Sequence, residues 1–372
     1  MTESRAASPD PERACATPDK GQEPLRSVHT STFPDILREL GASLLVSTYQ
    51  AGKVVVVRED GGALNTHFRD YLRPMGLAAN GKRLAVGTSN AIFSYRNVPA
   101  VSRRLESPGK CDLVYLLAGL HVTGDIDIHE MAWAEGELWF VNTRFSCLAT
   151  LDLDHSFVPR WRPPFVTALA PEDRCHLNGL AVADGRPRYV TAYGETDTAE
   201  GWRERKADGG CLVDARTGEV VIRGLSMPHS PRLHAGRLWL LESGAGRLSV
   251  VDSRAGRAET VAELPGFTRG LDLLGPFAFV GLSQVRESTI ASGTPIAERN
   301  LERLAGVWVI DIRTGQTVAF LKFEDAVQEI FAVQVLPGVR YPEIITDDTT
   351  LLGSTYVLPE PALAEVPPER RS

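Results

Sequence analysis

One phrase returns along this chain with a different side chain in a fixed slot, and that repetition constrains the fold more than any other feature. It reads RPMGLAANGKRLAVGT from Arg73, IHEMAWAEGELWFVNT from Ile128 and HLNGLAVADGRPRYVT from His176. It continues as PHSPRLHAGRLWLLES from Pro228, TRGLDLLGPFAFVGLS from Thr268 and, more loosely, EIFAVQVLPGVRYPEIIT from Glu329. The slot holds Met75, His129, Asn178, His229 and Arg269, and Glu329 is assigned to it in the last copy. A repeat of this length stacks like units. If the units close into a ring, each slot points at a common axis.

The slots are separated by 54, 49, 51, 40 and 60 residues, the size of a four-stranded propeller blade with variable loops. A second register supports the unit. CLVDARTGEV, LSVVDSRAGRA and VWVIDIRTGQTV each place Asp-x-Arg-(Thr/Ala)-Gly between two strand-like runs. Asp opens such a turn and Gly takes its positive φ. The apolar runs are short and rich in Val, Leu, Ile and aromatics, and no amphipathic helix pattern persists. The expected fold is all-β: a β-propeller of four-stranded antiparallel blades. Seven blades are favoured from seven candidate segments. Six result if the weak first or last unit instead completes another blade.

Residues 1–30 are polar and Pro-rich, which predicts a disordered segment or surface arm. Residues 31–358 read as a single propeller domain and 359–372 as a flexible tail. The net charge of −7 has both signs interspersed, giving no footprint for nucleic acid. No signal-peptide core or transmembrane run is legible, so no membrane association is expected and the cytoplasm is the default location. The five cysteines form no C-x-x-C pair and read as free thiols. Oligomeric state is not legible.

The segments NTRFSCLATLD, SFVPRWRPPF, PEDRCHLNGLA, GLSMPHSPRLH, LPGFTRGL and FVGLSQVRES resemble a family of bacterial conserved hypothetical proteins. The resemblance runs from about residue 33 to residue 345. It implies one propeller-like domain and carries no activity with it, so function has to be argued from the residues.

His129, His176 and His229 lie at or within two residues of the slot in successive units. Residues i and i+2 of a strand share a face, so His176 can accompany Asn178, and Asp127 can accompany His129. Three imidazoles meeting on one axis would suit zinc, iron, copper or manganese. The peptidyl-hydroxyglycine lyase domain offers an analogy of fold, with axial histidines from different blades holding zinc. Two alternatives stay open: histidines hydrogen-bonded to the channel backbone, and histidines acting as acid or base without metal.

Arg269 is the natural anion partner, because a guanidinium fork binds a carboxylate in bidentate fashion. Glu242, Arg144 and Tyr193 occupy comparable strand ends or loop rims and join Arg269 as catalytic candidates. Asn178, Arg174 and Glu329 are candidates for holding substrate. Cys147 and Cys175 read as small buried residues, since Cys175 and His176 are adjacent and would face opposite sides of a strand. The expected function is a metal-dependent lyase, hydrolase or isomerase acting on a small anionic substrate at one end of the channel. The alternative is a binding or scaffold propeller with a structural polar ring on its axis.

Overall fold

The computed structural model describes residues 25–284, 293–299, 302–324 and 326–370. These form six sheets, each built on an antiparallel four-stranded blade. Blade one runs from the axis outward as Ala332–Pro337, Ala42–Ser47, Lys53–Asp60 and Ala63–Asp70. Blade two is Leu77–Ala79, Arg83–Gly87, Ala91–Asn97 and Leu113–Val122, with Pro342–Ile345 added in parallel on its outer edge. Blade three is Ile128–Ala134, Glu137–Asn142, Cys147–Thr150 and Val158–Trp161. Blade four is Leu177–Ala183, Arg186–Ala192, Gly210–Asp214 and Val220–Leu225. Blade five is Pro228–His234, Arg237–Glu242, Arg247–Asp252 and Arg257–Glu263. Blade six is Phe267–Leu274, Phe277–Ser283, Ala305–Asp311 and Gln316–Phe323, with Ser27–His29 on its outer edge.

The ring is a propeller of six blades rather than the favoured seven. The first unit lacks an inner strand of its own, and Ala332–Pro337, from near the end of the chain, supplies it through a six-residue antiparallel register with Ala42–Ser47. The two end units therefore make one blade and close the ring non-covalently. Each inner strand packs against the inner strands of both neighbouring blades, which completes the circle. Cores of Val, Leu, Ile and aromatic side chains fill the spaces between blades.

The Asp-x-Arg-x-Gly segments join third to outer strands, as their chemistry requires. Asp214, Asp252 and Asp311 each accept the backbone N–H of the residue two positions on, at 2.9, 3.0 and 2.9 Å. Gly218, Gly256 and Gly315 then turn the chain at φ +78°, +64° and +74°.

A second recurrent device joins the blades near the axis. Hydroxyls at the end of second strands donate to a carbonyl of the next blade's inner segment. Ser47 reaches Met75 O (2.6 Å), Thr143 reaches Leu177 O (2.6 Å) and Ser283 reaches Ile330 O (3.0 Å). Ser243 makes the same bond to Thr268 O. These bonds satisfy backbone acceptors that burial between blades removes from water.

At its ends the chain adds to the ring. Ser27–His29, inside the segment read as an arm, is an edge strand, while residues 1–24 lie outside the described residues. Glu360–Glu365, inside the segment read as a tail, is a short exposed helix. No helix among the described residues is long and apolar enough to cross a membrane.

Candidate functional site

The entrances of five of the six inner strands, all but that of blade two, surround a cavity of about 540 Å³. One local conformation builds it. The residue two before the slot takes a left-handed backbone in four blades: Arg73 (φ 48°), Asp127 (φ 53°), His176 (φ 49°) and Met227 (φ 48°). Non-glycine residues occupy this region sparsely, and such conformations concentrate at functional sites. Three slot side chains then donate to the carbonyl two residues back. His129 Nδ1 bonds Asp127 O (3.1 Å), His229 Nδ1 bonds Met227 O (3.2 Å) and Asn178 Nδ2 bonds His176 O (3.1 Å).

This geometry assigns the tautomers. A carbonyl only accepts, so Nδ1 of His129 and of His229 carries the proton. The same nitrogens meet Thr143 Oγ1 and Ser243 Oγ, each at 2.8 Å. Those hydroxyls spend their own protons on Leu177 O and Thr268 O, so they accept from the imidazoles. Nε2 of both rings is left as an acceptor. On His129 it receives Arg269 Nη2 at 2.8 Å, and on His229 it receives the Tyr193 hydroxyl at 3.1 Å. Burial, then the Arg269 charge, hold both imidazoles well below their usual pKa. They are neutral acceptors.

His176 is oriented differently. Its Nδ1 donates to Asp173 Oδ2 at 2.8 Å, and the Trp202 indole N–H donates to the same oxygen at 3.0 Å. The ring stacks on Tyr193, with centroids 4.3 Å apart, and stands edge-on to His129 at 4.9 Å. His229 lies 6.1 Å from His129, ring to ring. The three imidazoles therefore share one space. Trp202 comes from the 3₁₀ turn Gly201–Arg205, in the long connection between the second and third strands of blade four.

Arg269 projects over the Phe331 ring, its guanidinium carbon 3.6 Å from the centroid. Its Nε is buried without a hydrogen-bond partner, and no carboxylate pairs with it among the described residues. Tyr49 stacks on the same Phe331 at 5.6 Å.

The other expected site residues divide between the cavity wall and the blades around it. Asn178 faces the axis but does not line the cavity. It is 2% exposed, and its Oδ1 accepts from Thr191, so both its polar ends are satisfied within blade four. Glu242 points into blade five, where it accepts from Ser249 Oγ (3.1 Å) and the Ser226 N–H (3.4 Å). Arg174 is held by Glu172 (2.9 Å) and Asp197 (2.8 Å), outside the cavity. Arg144 lines the cavity and pairs with Asp125 at 3.3 Å. Glu329 lines it too, but from the segment before the inner strand; the residue whose ring meets the axis in blade one is Phe331. Tyr193 lines the cavity, and burial pushes its phenol pKa up. Cys147 and Cys175 are buried in the blade core, and burial pushes both thiols up to about 12.

Sequence reasoning missed Asp173, Trp202, Thr143, Ser243 and Phe331. Asp173 stood three residues before His176 in PEDRCHLNG. Thr143 and Ser243 stood at one offset, fourteen residues after their histidines.

A family model described as a domain of unknown function (DUF4915) matches residues 31–345. The chain belongs to the DUF4915 family. No curated protein matches its sequence. Among solved structures, the DUF4915 ring is similar to a chain in a nidogen/laminin complex, with TM-score 0.51 and 10% identity over 80% of this chain and 99% of that one. It is likewise similar to a protein of unknown function from Bacteroides caccae, with TM-score 0.50 and 10% identity over 79% of this chain and 98% of that one. At such identity these likenesses speak for the fold alone.

The opposite ends of the same inner strands enclose a smaller cavity of about 270 Å³. Its charges are satisfied within the protein. Arg232 pairs with Glu130 at 2.7 Å, and Asp272 accepts from Gln334 Nε2 and the Val335 N–H at 2.8 Å each. The two ends of the DUF4915 channel thus differ in kind. One is closed by internal pairs, and the other holds an unneutralised guanidinium among three imidazoles.

Proposed function

We propose that the larger cavity is the active site of an enzyme acting on a small anionic substrate, with lyase, hydrolase or isomerase chemistry. The observation that carries this reading is Arg269. It is a cation on an aromatic face, with neutral histidine on one side and no carboxylate among the described residues to neutralise it. Arg269 is half-buried with its Nε out of reach of water, a cation so placed without a counter-ion is costly, and a substrate carboxylate supplies one. His176 is the candidate acid–base. With Nδ1 given to Asp173, its Nε2 can take a proton from substrate or from water, and Asp173 stabilises the imidazolium that results. The proton then returns to the leaving group or to the product carbon. Tyr193 and Trp202 hold the ring in place.

The metal reading ranks second. One observation favours it: the Nδ1 atoms of all three histidines are fixed from behind, the arrangement by which outer-shell partners orient metal ligands. Zinc, iron, copper or manganese would be held by His129, His176 and His229 and would supply Lewis acidity. The donor set fits only in part, because the Nε2 of His129 is committed to a guanidinium 2.8 Å away, and a dication there would have to displace it. No group of three or more His, Cys, Asp or Glu disposed to hold a metal ion occurs among the described residues. A non-catalytic binding propeller would keep the Arg269 site and dispense with His176.

Titration of the untagged protein with a panel of small carboxylates, beside Arg269→Ala and His176→Asn, tests the proposal. Anion binding lost in the first variant, and turnover but not binding lost in the second, is the expected result. Equal binding by wild type and Arg269→Ala overturns it.

A further inference from the structure

The charges that remain after internal pairing say more about the ligand than Arg269 alone. Among the described residues three cations line the cavity: Arg144, Arg203 and Arg269. Arg144 is taken by Asp125, and Arg203 by Glu200 at 2.8 Å. Asp173 accepts from His176 and Trp202 through one oxygen, Oδ2, which commits it to holding the imidazole, while its Oδ1 is buried without a hydrogen-bond partner. Arg269 is left, together with two carboxylates, Asp127 and Glu329, that line the same space. Asp127 Oδ2 lies 3.8 Å from Nδ1 of His129, but that imidazole is neutral, so the contact is no ion pair. Glu329 has no lysine or arginine within ion-pair distance among the described residues. The left-handed backbone at Asp127 turns that residue into the cavity mouth beside His129.

We propose that the ligand is zwitterionic: one small molecule with a carboxylate for Arg269 and an ammonium for Asp127 or Glu329, as in a free amino acid or a close derivative. This rests on the reading of Arg269 as the anion site and adds the second charge. A purely anionic ligand would neutralise the guanidinium but bring its charge up against two uncompensated carboxylates. A purely cationic one would leave the guanidinium unpaired. The aromatic wall of Tyr49, Phe331, Tyr193 and Trp202 suits an apolar body and also attracts an ammonium. The volume is that of a small-molecule pocket.

The test is calorimetric titration of the untagged protein with the twenty common amino acids, then with the deaminated and decarboxylated analogues of the best binder. Each ligand is titrated into wild type, Asp127→Asn, Glu329→Gln and Arg269→Ala. The proposal expects at least one amino acid to bind tighter than roughly 1 mM. That ligand should weaken by about tenfold or more in Asp127→Asn or Glu329→Gln, while the deaminated analogue is indifferent to both changes. The proposal is overturned if no amino acid binds. It is overturned equally if the deaminated analogue binds wild type as well as its parent does and neither carboxylate variant matters, an outcome that leaves the Arg269 anion site standing. Loss of every carboxylate-bearing ligand in Arg269→Ala supports both readings. Unchanged binding there removes both.

Discussion

Arg269 Nη2 lies 2.8 Å from His129 Nε2, so a residue of blade six reaches an imidazole of blade three across the ring. The contact exists because Thr143 and Asp127 hold the His129 proton on the far nitrogen. A protonated Nε2 would repel the guanidinium.

Arg269→Lys should therefore restore little of what Arg269→Ala loses. The ammonium is a point charge, and it cannot bond Nε2, lie on Phe331 and present a fork to an anion together. Anion affinity measured by calorimetry should fall by about tenfold or more in both variants. Full retention in the lysine variant would show that charge alone matters.

Thr143→Val should cost about 1–3 kcal/mol in denaturant unfolding, because Leu177 O loses its donor and His129 one of its two acceptors. Thr143→Ser should recover most of that loss. Nitrogen-15 NMR should show Nδ1–H in wild type and in the valine variant alike, because Asp127 O still accepts from Nδ1 and Arg269 still donates to Nε2.

Acid should destabilise the fold through His129 and His229. Both folded-state pKa values lie well below 6.5, chiefly from burial and then from Arg269. Below pH 6.5 the unfolded chain therefore binds protons that the native chain refuses, and stability falls as pH falls. The contribution is intact above 6.5 and is lost at up to about 1.4 kcal/mol per pH unit for each histidine. Denaturant midpoints at pH 7.5, 6 and 5 measure the slope. His129→Asn, which copies the slot residue of blade four, should remove one histidine's share; an unchanged slope would contradict the assignment.

A chain ending at Phe331 lacks the inner strand of blade one and leaves the ring open at the axis. It should lose cooperative thermal unfolding. A wild-type melting curve from this truncation would mean that closure by Ala332–Pro337 is dispensable.

Much of this was legible in the sequence. The slot repeat gave blades around one axis, and the three histidines sharing one cavity follow from it. The blade count slipped because strand Ala332–Pro337 pairs with a partner nearly three hundred residues earlier, and no local pattern records such a pairing. Glu329 was placed in the slot by a loose alignment, and the strand begins three residues later. Glu242 ends a strand as expected, yet Ser249 and the Ser226 amide give its carboxylate partners inside the blade. Asn178 kept its place and lost its role, since Thr191 and His176 O satisfy it. Position along a strand was readable; the partners that close a side chain's hydrogen-bonding capacity were not, because they come from other blades and loops.

The central claim is that Arg269 and the three histidines receive a small anion. A crystal structure of the untagged protein soaked with a small carboxylate tests it most directly. The account predicts carboxylate density on the Arg269 fork, within reach of His176 Nε2, with Arg269 still bonded to His129. An anomalous-scattering peak bound by the Nε2 atoms of His129, His176 and His229, with Arg269 swung away, would contradict it.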